Sequence, residues 1–346
     1  MRVVLVLSPL AGLHERRGAG RYTKYLVEAL RNLRDGNEYL VTSRPWAYHP
    51  DVVHYPFFDF YFLTMSSKNL ATTVVTVHDT IPLIFPREYP AGFRGKIKFL
   101  VQRRLLSRAK AIITDSVSSQ KDIVRYLGQT REKITVVPLA APSQFRQASR
   151  MDQDRVRRKY DLPKKYLLYI GDINYNKNLV GLITSLSKIR EATLVIVSQA
   201  LYTKDTSEAE VIYQTIEKED LSERVRVIRV AVEATKDVAA IYSAAWWYVQ
   251  PSVYEGFGLP VLEAMVCGTP VICARAASLP EVAGEAALYF DPHNSTSLSQ
   301  VIATVMRVTD RKRKAYVEAG YRQARQFSWR KTAILTRSVY QKVCVL

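Results

Sequence analysis

The stretch from Pro251 to Gly268 reads PSVYEGFGLPVLEAMVCG. Glu255 stands directly before a Gly256-Phe257-Gly258 turn, and Glu263 follows eight residues later inside LPVLEAMV, a run of good helix formers. The glycines permit tight turns and Pro260 suits the first turn of a helix, so the layout is a loop running into a helix N-terminus. Such a terminus presents backbone N–H groups and the positive end of a helix dipole, which favours a phosphate near Gly256 to Leu259. At about 1.5 Å of rise per residue, Glu263 lies several ångströms further on, a reach that suits ribose hydroxyls. Glu255, on the loop side, faces the opposite end of a nucleotide diphosphate, where a sugar hangs. On spacing alone, a glycine turn into an ordinary helix with two surface glutamates explains the stretch equally well.

Outward from this stretch, apolar β-branched runs of strand length alternate with helical stretches. The expected strands are Val3–Leu7, Tyr39–Thr42, Val52–Tyr55, Thr73–His78, Ala111–Thr114 and Lys133–Pro138, then Tyr166–Ile170, Thr193–Val197, Val225–Ile228, Trp247–Val249, Val271–Ala274 and Leu288–Phe290. This is the β-α-β rhythm of parallel, doubly wound sheets, written twice. The polar segment from Ala141 to Pro163 reads as a linker and a short helix, and 346 residues suit two cores better than one. The expected division is 1–145, 146–328 and a final helix, 329–346, for which Ser328 offers a cap. Ligands in such sheets bind outside the carboxyl ends of the strands, so two facing sheets predict a site in the cleft between domains.

The composition, 48% hydrophobic and 24% charged, is that of a globular protein. Cys267, Cys273 and Cys344 show neither disulfide nor metal spacing and fit a reducing cytosol. The opening MRVVLVLSPLAGL lacks a cleavage pattern and reads as a first strand, and no run has the length to span a bilayer. Of the formal charge of +18, most lies early: residues 1–150 carry 23 Lys+Arg against 11 Asp+Glu, and the remainder 27 against 21. A basic first half attracts phosphate-bearing partners, although a solvated basic surface is the plainer account.

Four further pieces carry chemistry. Gly18-Ala19-Gly20-Arg21-Tyr22 opens the first helix after a long loop, a weak phosphate signal that lacks the third glycine of a dinucleotide fingerprint. His78 ends a parallel strand, where a neutral imidazole can hydrogen-bond a sugar hydroxyl, although a lone strand-end histidine is more often structural. Ser116 and Ser118 read as helix caps. Lys177 stands at a helix start beyond Gly171, placed to neutralise a diphosphate as a point charge.

The Pro251–Gly268 stretch closely resembles the EGFGLPxxEAMxxGxPV signature of family 4 of the retaining glycosyltransferases, with its paired glutamates. The resemblance covers nearly the whole chain and is strongest over 245–290. It implies an α/β protein of the GT-B fold, with two Rossmann-like domains: an acceptor-binding one first and a nucleotide-sugar-binding one second, the last helix crossing back to the first. It implies that the loop of Gly18 and Gly20 lies over the donor diphosphate and that His78 faces the donor sugar, with an orienting role for Asp79. In the same way Gly171 and Lys177 match a G-x5-KN diphosphate element, and Gly256, Phe257, Gly258 and Leu259 meet phosphate. Glu263 meets ribose, Glu255 the transferred sugar, and Ala231–Ala234 the base. The catalytic set is Glu255, His78 and Lys177, with no cofactor and no metal, the lysine and the helix dipoles standing in for a cation.

The sequence departs from the family at four positions. Asp172 and Asn176 stand where many members carry a phosphate-binding arginine, so either Lys177 acts with fewer cations or another, such as Arg21, contributes. Ser198 and Ala231 replace the usual glycines.

The implied activity is transfer of a hexose, mannose favoured, from a GDP- or UDP-linked sugar to a saccharide or lipid-linked acceptor, in the cytosol or at the inner face of the membrane, with no nucleic-acid partner. A non-catalytic nucleotide-sugar-binding protein and an epimerase on the same fold are the alternatives. A glycosidase reading fits poorly, because its two carboxylates must flank one bond at roughly 5–9.5 Å, whereas these grip opposite ends of one ligand. The run FRGKIKFLVQRRLLSRAK from Phe93 either buries one apolar face in its own domain or lies on an anionic membrane.

Overall fold

The computed structural model describes residues 1–7, 18–204, 206–231, 234–294 and 296–345. The chain forms two compact units, Met1–Ala140 with Phe327–Leu346, and Ala141–Gln326. These divisions fall at 140/141 and 326/327, beside the expected 145/146 and 328/329. Among the described residues no helix is long and apolar enough to cross a membrane.

The first unit is built on β1 (Arg2–Val6), β2 (Glu38–Thr42), β3 (Val52–Tyr55), β4 (Thr73–Thr76), β5 (Ala111–Thr114) and β6 (Ile134–Val136). All pair in parallel, in the order β2-β1-β3-β4-β5-β6. The second unit carries β7 (Leu167–Ile170), β8 (Leu194–Val197), β9 (Val225–Ile228), β10 (Trp247–Gln250), β11 (Val271–Ala274) and β12 (Ala287–Phe290), again parallel, in the order β12-β11-β10-β7-β8-β9. Each of these strands lies where an apolar run predicts one. The runs are legible because β3, β4, β8, β10 and β11 are buried along their whole length, and a strand covered on both faces must be apolar throughout.

Strand order fixes where a ligand can enter. In the second sheet the chain starts at β7, runs outward to β9, and returns to the other side of β7 as β10. The direction of winding reverses between β7 and β10, so the helices that follow them lie on opposite faces and a crevice opens at their carboxyl ends. Lys177 follows β7 and Glu255 follows β10. In the first sheet the corresponding reversal is between β1 and β3, and the loop after β1 lies outside the described residues until Gly18.

The last helix, Trp329–Val345, belongs to the first unit. Ser328 accepts from the Lys331 amide at 3.2 Å as its cap. The Thr332 hydroxyl donates to the Pro138 carbonyl at 2.7 Å, Tyr340 meets His54 of β3 at 2.7 Å, and Arg337 reaches Asp35 at 3.4 Å. In the second unit the linker helix Arg150–Lys159 is capped by Ser149 and tied down where Arg155 and Lys159 converge on Asp237, at 2.8 and 2.7 Å.

Candidate functional site

In the second unit the carboxyl ends of β7 and β10 bring Lys177 and Glu255 together. Lys177 Nζ donates to both carboxylate oxygens of Glu255, to Oε1 at 2.7 Å and to Oε2 at 2.9 Å. Gln250 Nε2 and the Ser252 hydroxyl also donate to Oε1, at 2.9 and 2.7 Å, and Tyr248 donates to Gln250 from behind. Glu255 is 7% exposed, a burial its carboxylate tolerates because it is both paired and hydrogen-bonded. Oε1 thus has three donors and Oε2 has Lys177.

The loops that present this pair are stitched to one another. Asn176 is buried and donates to the Tyr254 carbonyl at 3.0 Å, while its own carbonyl accepts from the Val253 amide at 2.9 Å. Asn178, in the left-handed region at φ 53°, donates to the Pro251 carbonyl at 3.2 Å. From the far side the Ser278 hydroxyl lies between the carbonyls of Glu255 and Phe257, at 2.8 and 2.9 Å. Asn176, which stands where an arginine is usual, instead fixes the Lys177 loop to the Glu255 loop.

Gly256, Phe257 and Gly258 are buried and lead into the helix Leu259–Val266. Gly258 has φ +104°, and a Cβ there would meet Leu279 Cδ2 at 2.8 Å, so both backbone and space require glycine. A Cβ on Gly171, at the end of β7, would meet the Tyr169 hydroxyl at 2.8 Å. Leu259 is half-buried, and Glu263 is buried on the helix and accepts from the Tyr242 hydroxyl at 3.2 Å. Ser198 caps the helix Gln199–Thr203, accepting from the Leu201 amide at 3.4 Å, which gives the serine its own use where glycine is usual. Ala231 is exposed after β9, and Val232 and Glu233 of the expected base segment lie outside the described residues.

In the first unit Gly18 and Gly20 open the helix Gly18–Arg31, and a Cβ on Gly18 would meet nothing within 4 Å. His78 lies two residues beyond β4. Its Nδ1 is 2.7 Å from Asp115 Oδ2 and its Nε2 is 3.2 Å from the Pro56 carbonyl. Each ring nitrogen thus faces an acceptor, an arrangement that favours the protonated, charged ring. Burial works against that charge, but the Asp115 carboxylate outweighs it and holds the His78 pKa above its ordinary value. Tyr22 packs edge-on against the ring at 4.6 Å, and the Ser119 hydroxyl donates to the His78 carbonyl.

Asp115 is the residue that sequence reasoning missed, because TDSVS reads as a capping sequence. Ser116 is the cap, accepting from the Ser119 amide at 3.0 Å, and Ser118 lies within the helix Val117–Leu127. The signal was register: β4 and β5 pair Thr76 with Ile113, so continuing two residues brings His78 beside Asp115.

The family model for glycosyl transferases group 1 matches residues 151–323, and that for Glycosyltransferase Family 4 matches residues 38–142. O-antigen chain mannosyltransferase B from Escherichia coli is 31% identical over 322 residues, covering 91% of this chain and 80% of that protein. The chain belongs to the glycosyl transferases group 1. Serotype-specific mannosyltransferase WbdA, also from Escherichia coli, is 29% identical over 83% of this glycosyltransferase, which spans only 36% of WbdA. Among solved structures, HepE from Anabaena in complex with UDP and glucose superposes with a TM-score of 0.75 over all of both chains at 17% identity, which identifies the fold as GT-B. The glycosyltransferase therefore has two Rossmann-like units and acts as a hexosyltransferase.

Proposed function

We propose that this enzyme transfers a hexose, mannose before others, from a nucleotide-diphosphate sugar to a saccharide or lipid-linked saccharide, retaining the anomeric configuration, in the cytosol and peripheral to the membrane. The observation that carries the reading is the Lys177–Glu255 pair at the winding reversal of the second sheet, beside a glycine turn into a helix N-terminus. GDP-mannose is the first donor to test; the names of the Escherichia coli relatives support mannose, and HepE, a protein of the same fold, holds UDP and glucose.

Departure of a nucleoside diphosphate places negative charge at the leaving oxygen, and the group that stabilises it must be positioned beforehand. Lys177 is a single cation without a second one beside it on its own loop, and its charge is balanced by Glu255 when no ligand is bound. A diphosphate competes for Lys177. When the lysine turns to phosphate, Glu255 keeps Gln250 and Ser252 on Oε1, and Oε2 becomes available to accept from a sugar hydroxyl. One exchange thus readies both ends of the donor: charge for the leaving group, and an anchored acceptor for the sugar. Leu259 and the Gly256–Gly258 turn are assigned to phosphate, Glu263 to ribose, Ala231 to the base, and Gly18 and Gly20 to the diphosphate. His78 is assigned to the side of the site that faces the transferred sugar. The acceptor is assigned to the first unit.

A panel of GDP-, UDP- and ADP-sugars, assayed for transfer and hydrolysis, tests the reading. Consumption of GDP-mannose with release of GDP is expected; failure to bind any nucleotide sugar would overturn it. Nucleotide-sugar binding without turnover would move the chain to a non-catalytic role, and product formed without any acceptor would make it an epimerase.

A further inference from the structure

The helix Phe93–Arg108 contains six Lys and Arg residues and no carboxylate. Its inner face is anchored by a polar residue. Gln102 is fully buried, donates to the carbonyls of Asp59 and Phe62 at 3.1 and 3.0 Å and to the Thr64 hydroxyl at 2.5 Å, and accepts from the Met65 amide at 3.3 Å. Leu106, one turn on, is fully buried in the core of the unit, with Phe99 and Leu105 packed at its edge. The expectation that the helix buries its apolar side holds for these three.

The opposite face is the unexpected one. At 100° per residue, Phe93, Ile97, Leu100 and Val101 form one stripe, and all four are exposed, Phe93 by 80% and Leu100 by 64%. Arg104 and Arg108 continue the same stripe, while Arg94 and Lys96 flank it. Gln102 also holds the neighbouring loop so that Phe62 (64% exposed) and Leu63 project beside it, with Lys98 Nζ 5.1 Å from the Phe62 ring. Six large apolar side chains are thus exposed together, bordered by cations. The adjoining carboxylate, Asp59, accepts from the amides of Tyr61 and Phe62.

We propose that this face docks on an anionic lipid bilayer, with Phe93, Ile97, Leu100 and Val101 entering the headgroup boundary and the flanking cations meeting lipid phosphates. The charge argues for that occupant. A second copy of the same face would set six cations against six, and an uncharged apolar partner would leave them without counter-charge. A polyanion without an apolar phase would leave the stripe in water. A bilayer surface of anionic lipids supplies both partners at one depth. Lipid binding by this face needs no donor and no turnover, so it stands or falls apart from the peripheral glycosyl-transfer reading on which its purpose rests.

Cosedimentation of the full chain with vesicles of phosphatidylcholine, alone and mixed with phosphatidylglycerol, tests the proposal. Binding is expected to the mixed vesicles only and to weaken with salt. Phe93→Ser with Leu100→Ser should lower partitioning about a hundredfold, at roughly tenfold for each side chain withdrawn from the boundary. Replacing Arg94, Lys96 and Arg104 with glutamine should also cost about a hundredfold, at roughly fivefold per cation. All these positions are exposed, so thermal unfolding should be unchanged. Met151→Ser, at an exposed apolar position of the second unit, should bind as the parent does. No binding to the mixed vesicles, or equal binding by every variant, would overturn the proposal. So would self-association abolished by Phe93→Ser, or capture by RNA where vesicles are ignored.

Discussion

Two ion pairs of the same length behave as opposites. Lys177–Glu255 in the second unit and His78–Asp115 in the first each close at 2.7 Å between loops that follow adjacent strands. Glu255 has donors to spare: with Lys177 gone, Gln250 and Ser252 still serve Oε1. Asp115 does not. Among the described residues its Oδ1 is buried without a hydrogen-bond partner and His78 serves Oδ2, so the histidine is the partner that makes the buried carboxylate tolerable. On the proposed reading the first pair is therefore the one able to exchange partners, and the second the one that stays. Distance alone does not separate a working pair from a fixed one; the other hydrogen bonds to the carboxylate do.

The comparison breaks first at the level of activity. Glu255→Ala or Lys177→Ala should reduce hexose transfer by about 10² to 10³, the cost of removing one preorganised charge-stabilising group, while the protein stays folded. Transfer unchanged by both would remove the site from the second unit. Stability should rank the pairs the other way. His78→Ala leaves the Asp115 charge buried and should cost roughly 3 kcal/mol in denaturant unfolding, part of it recovered by adding Asp115→Asn. Lys177→Ala should cost about 1 kcal/mol, since Glu255 retains two neutral donors. Equal costs would end the distinction. Gly258→Ala, which strains a positive φ and drives a Cβ into Leu279, should cost about 1–2 kcal/mol and slow transfer by displacing the turn.

The smallest effects are on pH. His78 holds its proton more tightly folded than unfolded, so the stability it contributes is complete below about pH 6.5 and is lost as pH rises through its raised pKa. Asp115→Asn should flatten that falling limb in unfolding curves. His54 has the opposite sign. Burial, then the charge of His78, lowers its pKa to about 3, so its contribution is present above about pH 6.5 and is lost as pH falls toward 3. It sits between the hydroxyls of Tyr340 and Thr76, each at 2.7 Å.

The fold was legible because parallel strands buried on both faces leave continuous apolar runs, and those runs are written in the chain. Glu255 and Lys177 were legible as residues, but their pairing was not, since it depends on β7 and β10 becoming neighbours across a reversal of winding. Asp115 was hidden by chemistry: aspartate before serine at a helix start reads as a cap. Asn176 was read as a missing cation because a sequence shows which side chain is absent and not which loop the present one holds. The outward stripe of Phe93–Arg108 was obscured for a related reason. Apolar residues lie on both sides of that helix, so periodicity alone does not say that Leu106 faces the core and Leu100 faces solvent.

The most direct test of the account is the affinity of GDP and UDP, measured by calorimetry, for the parent, Lys177→Ala and Asp115→Asn. If Lys177 gives up Glu255 for a diphosphate, Lys177→Ala should weaken the bound nucleotide by about tenfold or more, the worth of a charge-assisted hydrogen bond, while Asp115→Asn leaves the affinity unchanged. A Lys177→Ala protein that binds both nucleotides as tightly as the parent would contradict the account.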